Sequence, residues 1–254
     1  MKIINKPFDL DPSVLKSISK SIDLADLFLI DIETTGFSSM KNQIYLIGCI
    51  YHTEDGFHFI QWLCEKPEDE YELLFRFAKF IQNFHYVVHY NGTQFDMPFI
   101  KRRMQLFQIS STLHTLLEID LYTLIRPFQK YFGLDNLKLK TVEKRYGYER
   151  SDEYTGGMLI QTYQNYIIAP TSALESDLLL HNEEDLLGLY QSLHVSEVVN
   201  FLVNLPNLEI TPSTTKVQTL EDSLQLKFAV QTPLEIQIEI DSYTLLFTKT
   251  SISI

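Results

Sequence analysis

Cysteine is scarce in this sequence, which has only Cys49 and Cys64 among its 254 residues. Two cysteines cannot build a disulfide scaffold, so we expect a reduced protein of the cytoplasm. No apolar run reaches the roughly 18 residues that a membrane-spanning helix needs, and the first residues lack the apolar stretch of a secretory signal. The sequence therefore predicts a cytoplasmic protein with no membrane partner.

Motifs of several large enzyme classes are missing as well. The chain has no GxxxxGK(S/T) and no GxGxxG stretch, which removes support for a P-loop or a dinucleotide-binding site. It has no GxSxG nucleophile elbow. It also lacks the cysteine and histidine spacing that is typical of zinc sites. These absences argue against the commonest nucleotide, hydrolase and zinc chemistries.

Positive charge is in short supply, since 21 lysines and arginines face 33 acids, for a formal net charge of -12. Phosphate binding needs basic side chains, so this balance at first argues against a nucleic-acid partner. The basic residues are concentrated, however, at 101–103 and 126–150. Such a concentration could line a nucleic-acid track, although an ordinary solvated helix face would have the same composition.

Apolar content and periodicity predict the fold class. Hydrophobic residues make up 45% of the chain, which is typical of a globular protein that buries a core. Apolar runs bounded by turn residues predict strands at 27–33, 43–52, 57–63, 86–90 and 116–120. Apolar residues at helical spacing predict helices from Pro67, from Phe95, from Leu121 and across most of 137–200. This order of elements is typical of a mixed α/β sandwich.

We divide the chain into three parts. Residues 1–26 are mixed and polar, and we predict an N-terminal arm. Residues 27–204 contain the predicted α/β domain. Residues 207–254 are rich in threonine, isoleucine, leucine and valine with alternating polarity, which predicts a β-rich C-terminal appendage.

Asp31 and Glu33 form the first acidic feature, within a predicted strand. Side chains two positions apart on a strand point to the same face. Neighbouring carboxylates repel each other and are tolerated when a cation lies between them. The flanking residues are strongly apolar, so a metal site is the stronger interpretation and an exposed strand end is the alternative.

Two further features contain acids. Asp96 follows the turn at Asn91 and Gly92 and falls in the first turn of a predicted helix, where the helix dipole alone would favour an acid. His181 and Asp185 lie four positions apart in a later helix, so they share a face. A structural cap for Asp96 and a packed core position for His181 are the alternatives to functional roles.

Taken together, the acids Asp31, Glu33, Asp96 and Asp185 offer hard oxygen ligands of the kind that Mg²⁺ and Mn²⁺ prefer. They come from a strand, the start of a helix and a later helix. The sequence therefore predicts a divalent metal site that draws on three distant segments.

The segments that hold these acids resemble a known family. DIETTG at 31–36, NGTQFD at 91–96 and HNEED at 181–185 resemble, in order and spacing, the three exonuclease motifs of the DEDD superfamily of ribonuclease H-like 3′-5′ exonucleases. IDLYTLIRPF at 119–128 and LKLKTVEKRYGYERSDEYTGG at 137–157 resemble the YprB-like branch in particular. The resemblance covers roughly residues 25–200.

The resemblance implies a ribonuclease H-like fold, with a five-stranded mixed sheet flanked by helices. It implies that Asp31, Glu33, Asp96 and Asp185 are catalytic and bind two divalent cations, Mg²⁺ or Mn²⁺. The expected activity is the stepwise removal of nucleoside 5′-monophosphates from the 3′ end of single-stranded or 3′-ended DNA or RNA.

His181 matches the position that is tyrosine in one branch of that family, four before the last aspartate. We therefore count it as a catalytic candidate that could act as a general base, orient water or simply pack. The candidate substrate contacts near the motifs and in the basic segments are Thr34, Asn91, Phe95, Arg102, Lys140 and Arg150. A turn residue and a core aromatic are the alternatives for Asn91 and Phe95.

Two rival functions fit the same fold. One is a non-catalytic nucleic-acid-binding or scaffold module, which the presence of all four acids disfavours. The other is a metal-dependent endonuclease or resolvase, which the forms DIETTG and NGTQFD disfavour. The oligomeric state is not predicted.

Overall fold

The computed structural model describes the chain except residues 17, 19–20, 152–153, 205–214, 221–222, 234, 241–242 and 254. The strands are β1 (Lys2–Phe8), β2 (Leu27–Thr34), β3 (Ile44–Thr53), β4 (Gly56–Leu63), β5 (Tyr86–His89), β6 (Leu117–Asp120), β7 (Thr215–Leu220), β8 (Ser223–Ala229), β9 (Ile236–Ile240), β10 (Tyr243–Thr248) and β11 (Ser251–Ser253). The helices are α1 (Pro12–Lys16), α2 (Glu70–Phe80), α3 (Asp96–Leu106), α4 (Leu121–Ile125), α5 (Gln129–Phe132), α6 (Leu139–Arg145), α7 (Gly156–Ile168), α8 (Ser172–Ser192) and α9 (Val195–Asn204).

The main sheet has six strands in the order β1-β4-β3-β2-β5-β6. The first four strands in this order, β1, β4, β3 and β2, pair antiparallel with their neighbours. β5 runs parallel to both β2 and β6. Apolar clusters lie on both faces of this sheet and join it to the helices. This arrangement confirms the predicted mixed sheet flanked by helices.

The sixth strand comes from the segment that we predicted as an N-terminal arm. β1 pairs antiparallel with β4 at the sheet edge, from Lys2 opposite Leu63 to Phe8 opposite Phe57. Lysine and proline side chains are common on edge strands, where they discourage further pairing. These lysines and the proline interrupt the apolar pattern, so the sequence did not predict this strand. The sheet therefore has six strands, one more than the five that we expected.

Strand β2 lies in the middle of the sheet and is buried on both faces. Phe28 packs into the cluster that includes α2, α3 and α7. Leu27 and Leu29 pack into the opposite cluster with α4, α8 and α9. Because side chains alternate along a strand, Asp31 and Glu33 continue the row of Leu27 and Leu29 towards α8.

A second sheet forms the C-terminal part of the chain, with all its strands antiparallel in the order β7-β8-β11-β10-β9. It confirms the predicted β-rich appendage. Phe247 and Ile252 are buried in the same apolar cluster as α9, and the Phe247 ring lies 6.5 Å from that of Phe201. The beginning of the predicted appendage, 207–214, lies outside the described residues.

The stretch Ser172–Asn204, which contains α8 and α9, is long and apolar enough to cross a membrane by length and composition alone. Our prediction considered only uninterrupted apolar runs. This stretch is interrupted by polar residues, but its average hydropathy is high. Most of its apolar window is buried inside the protein, and α8 lies against β2 and β3. Both observations are what a core helix shows.

Candidate metal centre

Asp31 and Glu33 lie near the carboxyl end of β2, and both are partly buried. The ladder between β2 and β3 changes register just after Glu33, so the strand ends at this point. From β3, the hydroxyl of Tyr45 lies 3.5 Å from Glu33 Oε2 and donates to it. Both carboxylates therefore sit where the sheet meets the helix that covers it.

Asn182 of α8 fixes the orientation of Asp31. Its Nδ2 donates to Asp31 Oδ2 at 2.8 Å, and its Oδ1 accepts from Gln61 Nε2 at 2.9 Å. Asn182 is fully buried, and a Cβ on Gly48 would lie 2.0 Å from its Oδ1. Glycine at position 48 therefore lets α8 come close enough to β3 for this amide to reach the acid.

Asp96 begins α3 and is 9% exposed. The preceding turn has a positive φ of 60° at Asn91, a conformation that asparagine tolerates. Gly92 rests on the His89 ring, and a Cβ there would lie 2.6 Å from it. The Asp96 carboxylate accepts from the backbone N–H of Ile32, so this hydrogen bond links the helix start directly to β2.

Asp120, at the end of β6, holds the same turn in place. Its carboxylate accepts from the backbone N–H of Asn91 at 2.8 Å and of Thr93 at 3.3 Å. It also caps α4 by accepting from the backbone N–H of Tyr122. We did not predict this residue as part of the site, although an aspartate between a predicted strand and a predicted helix is a typical N-cap.

His181 and Asp185 project from the same face of α8, as their spacing predicts. His181 Nε2 lies 3.2 Å from Asp185 Oδ2 and 3.7 Å from Glu33 Oε1. One ligand atom from each of these three residues lies within 4.8 Å of the other two. His181 is 6% exposed, so these contacts are largely shielded from water.

Arg150 is turned inward against Asp185. Its guanidinium donates to Asp185 Oδ1 and, through Nη2, to Glu143 Oε2 at 2.6 Å. A Cβ on Gly188 would lie 1.9 Å from Glu143 Oε2, so glycine makes room for this acid beside α8. Burial raises the pKa of Asp185, but the hydrogen bond from His181 and the charge of Arg150 bring it below its usual value.

We predicted Arg150 as a substrate contact from its place in a basic segment. In the structure its side chain is 5% exposed and paired with two acids, and its role as a substrate contact stays a prediction. The physical reason is that the buried carboxylates need a compensating charge. Sequence alone gives no signal for this pairing, because one of the partners is 35 positions away.

Two of the acids, Asp31 and Asp96, resist ionisation. Burial raises the pKa of Asp31 well above its usual value, and repulsion from Asp185, Glu33 and Asp96 raises it further, against the hydrogen bond from Asn182. Burial also raises the pKa of Asp96, to about 7. A cation among these carboxylates would remove both the repulsion and the unfavourable desolvation.

The donor set fits a divalent cation. Asp31, Glu33, Asp96 and Asp185 supply carboxylate oxygens, and His181 adds an imidazole nitrogen. Hard oxygens suit Mg²⁺ and Mn²⁺, and the nitrogen is compatible with transition metals. Among the described residues, Glu33, His181 and Asp185 lie close enough together to share one cation, and the full set of four acids as metal ligands stays a prediction.

Two other predicted residues, Thr34 and Phe95, lie on the segments that carry the acids. The Thr34 hydroxyl donates to the Gly36 carbonyl at 3.0 Å, within the turn after β2. The Phe95 ring lies 6.2 Å from that of Phe37 and 5.4 Å from that of Phe99. Phe37 is 91% exposed, and this exposed aromatic beside the site was not predicted.

Arg102 and Lys140 are exposed on α3 and α6. The Nε of Arg102 lies 3.0 Å from the sulfur of Met40, and Lys140 Nζ donates to the carbonyl of Tyr154 at 3.2 Å. Both residues stay predictions as substrate contacts.

This chain resembles known proteins in sequence and in fold. The uncharacterized protein YprB of Bacillus subtilis (strain 168) is 31% identical over 186 residues, which are 71% of this chain and 44% of YprB. This chain therefore spans less than half the length of that relative. The structure of the family B DNA polymerase from the hyperthermophilic archaeon Pyrobaculum calidifontis matches with a TM-score of 0.50 at 15% identity, over 71% of this chain and 24% of the polymerase chain. That likeness shows the fold alone.

A family model described as RNase_H superfamily matches residues 27–193. The matched range contains β2 to β6, helices α2 to α8 and all four acids of the candidate metal centre. It covers well over half of the chain. We conclude that this chain belongs to the RNase_H superfamily, which includes nucleases.

Proposed function

We propose that this chain is a metal-dependent 3′-5′ exonuclease that hydrolyses the phosphodiester bonds of nucleic acid and releases nucleoside 5′-monophosphates. The observation that carries the proposal is that one ligand atom each of Glu33, His181 and Asp185 lies within 4.8 Å of the others. Asp31 is repelled by Asp185, Glu33 and Asp96 in the same buried region. Membership of a superfamily that includes nucleases supports it. The order of the three motifs supports the exonuclease branch.

In this proposal the four acids hold two divalent cations, Mg²⁺ or Mn²⁺. When bound, the cations lower the pKa of a water and offset negative charge on the phosphate. The protein's own part is to fix its ligands in advance. Asn182 holds one oxygen of Asp31, and Arg150 holds one oxygen of Asp185, so neither carboxylate needs to reorient when the cations bind.

The surroundings of the site suit a nucleic acid with a free 3′ end. The exposed ring of Phe37 lies next to Phe95 and could stack on a terminal base. Arg102 and Lys140 would contact backbone phosphates. Because the chain carries a net charge of -12, we expect modest binding that depends on the cations and weakens with salt.

The proposal is tested with a 5′-labelled oligonucleotide, as RNA and as DNA, incubated with Mn²⁺ or with EDTA. We expect a ladder that shortens from the 3′ end with Mn²⁺ and no cleavage with EDTA. Asp31→Asn should reduce the rate by more than about 100-fold, because even residues behind metal ligands account for 10–100-fold effects. Asp55→Asn is the matched control, since Asp55 is exposed in the turn between β3 and β4.

The other outcomes point to the rival functions. Binding of the oligonucleotide without cleavage under any condition would favour a non-catalytic binding or scaffold module. Single internal cuts, with no ladder, would favour an endonuclease. Cleavage that survives Asp31→Asn as well as Asp55→Asn would contradict the assignment of the site.

A further inference from the structure

We propose that His181 is a metal ligand, and that Glu33, His181 and Asp185 form a mixed nitrogen and oxygen site that binds Mn²⁺ in preference to Mg²⁺. The inference rests on the proposed metal centre and deepens it. Sequence alone left His181 as a general base, a water-orienting group or a core residue. The side-chain geometry points to direct coordination instead.

The distances between the three donor atoms fit one cation. With metal–ligand bonds of about 2.1 Å, adjacent ligands of an octahedral site lie about 3.0 Å apart. His181 Nε2 lies 3.2 Å from Asp185 Oδ2 and 3.7 Å from Glu33 Oε1. Small side-chain adjustments would therefore place one cation within bonding distance of all three.

Two of the three donor groups are already oriented by other residues. Arg150 engages Oδ1 of Asp185, which leaves Oδ2 facing His181. Tyr45 engages Oε2 of Glu33, which leaves Oε1 facing the same nitrogen. Glu33 Oε1, Asp185 Oδ2 and the imidazole nitrogen thus face a common point.

The helical spacing supports the same role. Residues at i and i+4 lie one turn apart on one face of a helix. Helices that bind a metal through two side chains use this spacing, as in the H-E-x-x-H pattern. His181 and Asp185 have it on α8, and β2 supplies Glu33 from the opposite side.

The nitrogen ligand has a consequence for metal preference. Mg²⁺ demands near-ideal octahedral oxygen coordination, whereas transition metals accept imidazole. A site with His181 in its coordination shell should therefore bind Mn²⁺ more tightly than Mg²⁺. A site in which His181 only contacts water should show a weaker preference, since its ligands would be carboxylates alone.

The test is pulsed electron paramagnetic resonance of the whole chain loaded with Mn²⁺ alone, without nucleic acid. We expect a nitrogen coupling of directly bound imidazole in the wild type. This coupling should disappear in His181→Gln and persist in His114→Gln, whose histidine is exposed and lies on none of the segments that carry the four acids. In a parallel titration, His181→Gln should weaken Mn²⁺ binding by about 10-fold or more and change Mg²⁺ binding much less.

A second variant separates ligand loss from misfolding. His181→Glu replaces the nitrogen by a carboxylate, so it should still bind a cation while its preference for Mn²⁺ over Mg²⁺ falls. If Mn²⁺ binds to the wild type without nitrogen coupling, or if His181→Gln lowers turnover while Mn²⁺ affinity is unchanged, then His181 is not a ligand and the carboxylate site stands. If Mn²⁺ does not bind at all, the proposed metal centre itself is wrong.

Discussion

The buried guanidinium of Arg150 forms ion pairs with two acids, Glu143 and Asp185. Replacing it in Arg150→Gln would leave Glu143 and Asp185 buried without their partner, which typically costs about 3–5 kcal/mol. We expect a loss of that size in the free energy of unfolding, measured by urea denaturation without metal. Arg76→Gln is the control, because its pair with Glu72 is exposed and should be worth less than about 1 kcal/mol. Equal losses in the two variants would contradict the structural role of Arg150.

At the scale of single residues, the sequence predicts which acids lie together better than it predicts the residues that orient their carboxylates. Asp31 and Glu33, or His181 and Asp185, can be matched from the period of a strand or a helix alone. The bond from Asn182 to Asp31 joins residues 151 positions apart. No local pattern contains that information, so the positioning residues became visible only in three dimensions.

Helix α8 is the element on which the site depends most, and two glycines set how closely its neighbours approach it. A Cβ on Gly188 would lie 1.9 Å from Glu143 Oε2, and a Cβ on Gly48 would lie 2.0 Å from Asn182 Oδ1. Alanine at either position must push a buried polar side chain away. Overpacking of this kind typically costs about 1–3 kcal/mol.

We therefore expect Gly188→Ala and Gly48→Ala to lower the midpoint of thermal unfolding. The control is Gly157→Ala in the first turn of α7, where a Cβ would meet no atom within 4 Å. It should be neutral or slightly stabilising, because alanine favours a helix more than glycine does. If all three variants behave alike, the close approach of α8 is not what the two glycines provide.

Elements were largely predictable, because the main strands and helices of the domain have clear periods of two and 3.6 residues. The exception is β1, where the lysines and proline of an edge strand hide the pattern. Its place is decided by the free edge of β4 and by contacts with α8. Lys6 Nζ lies 2.8 Å from Glu183 Oε2 of that helix, a pairing that no local rule contains.

For the molecule as a whole, the raised pKa of Asp96 makes stability depend on pH. Folding raises this pKa from 3.8 to about 7. The folded state therefore prefers the protonated acid, so this contribution to stability is complete below pH 4 and is lost as the pH rises to 7. We expect Asp96→Asn to become more stable relative to the wild type across that range, by up to about 4 kcal/mol.

The measurement is urea unfolding of both proteins in EDTA at pH 4 to 8. The stability difference should rise up to about pH 7 and then level off. Asp55→Asn should show no such trend, since Asp55 is exposed. Saturating Mn²⁺ should stabilise the wild type most at the upper end of the range, where the carboxylates are ionised. A difference that stays flat from pH 4 to 8 would contradict the raised pKa.

The origin of the proposed metal ligands along the chain also has a kinetic consequence. Asp31, Asp96 and Asp185 come from an early strand, the middle of the chain and a late helix. Contacts between segments this far apart in sequence form late, because the intervening loops must close first. A cation can then bind only after most of the domain has assembled. It should slow unfolding and leave the rate of folding almost unchanged. The bound cation would thus give the assembled domain kinetic stability.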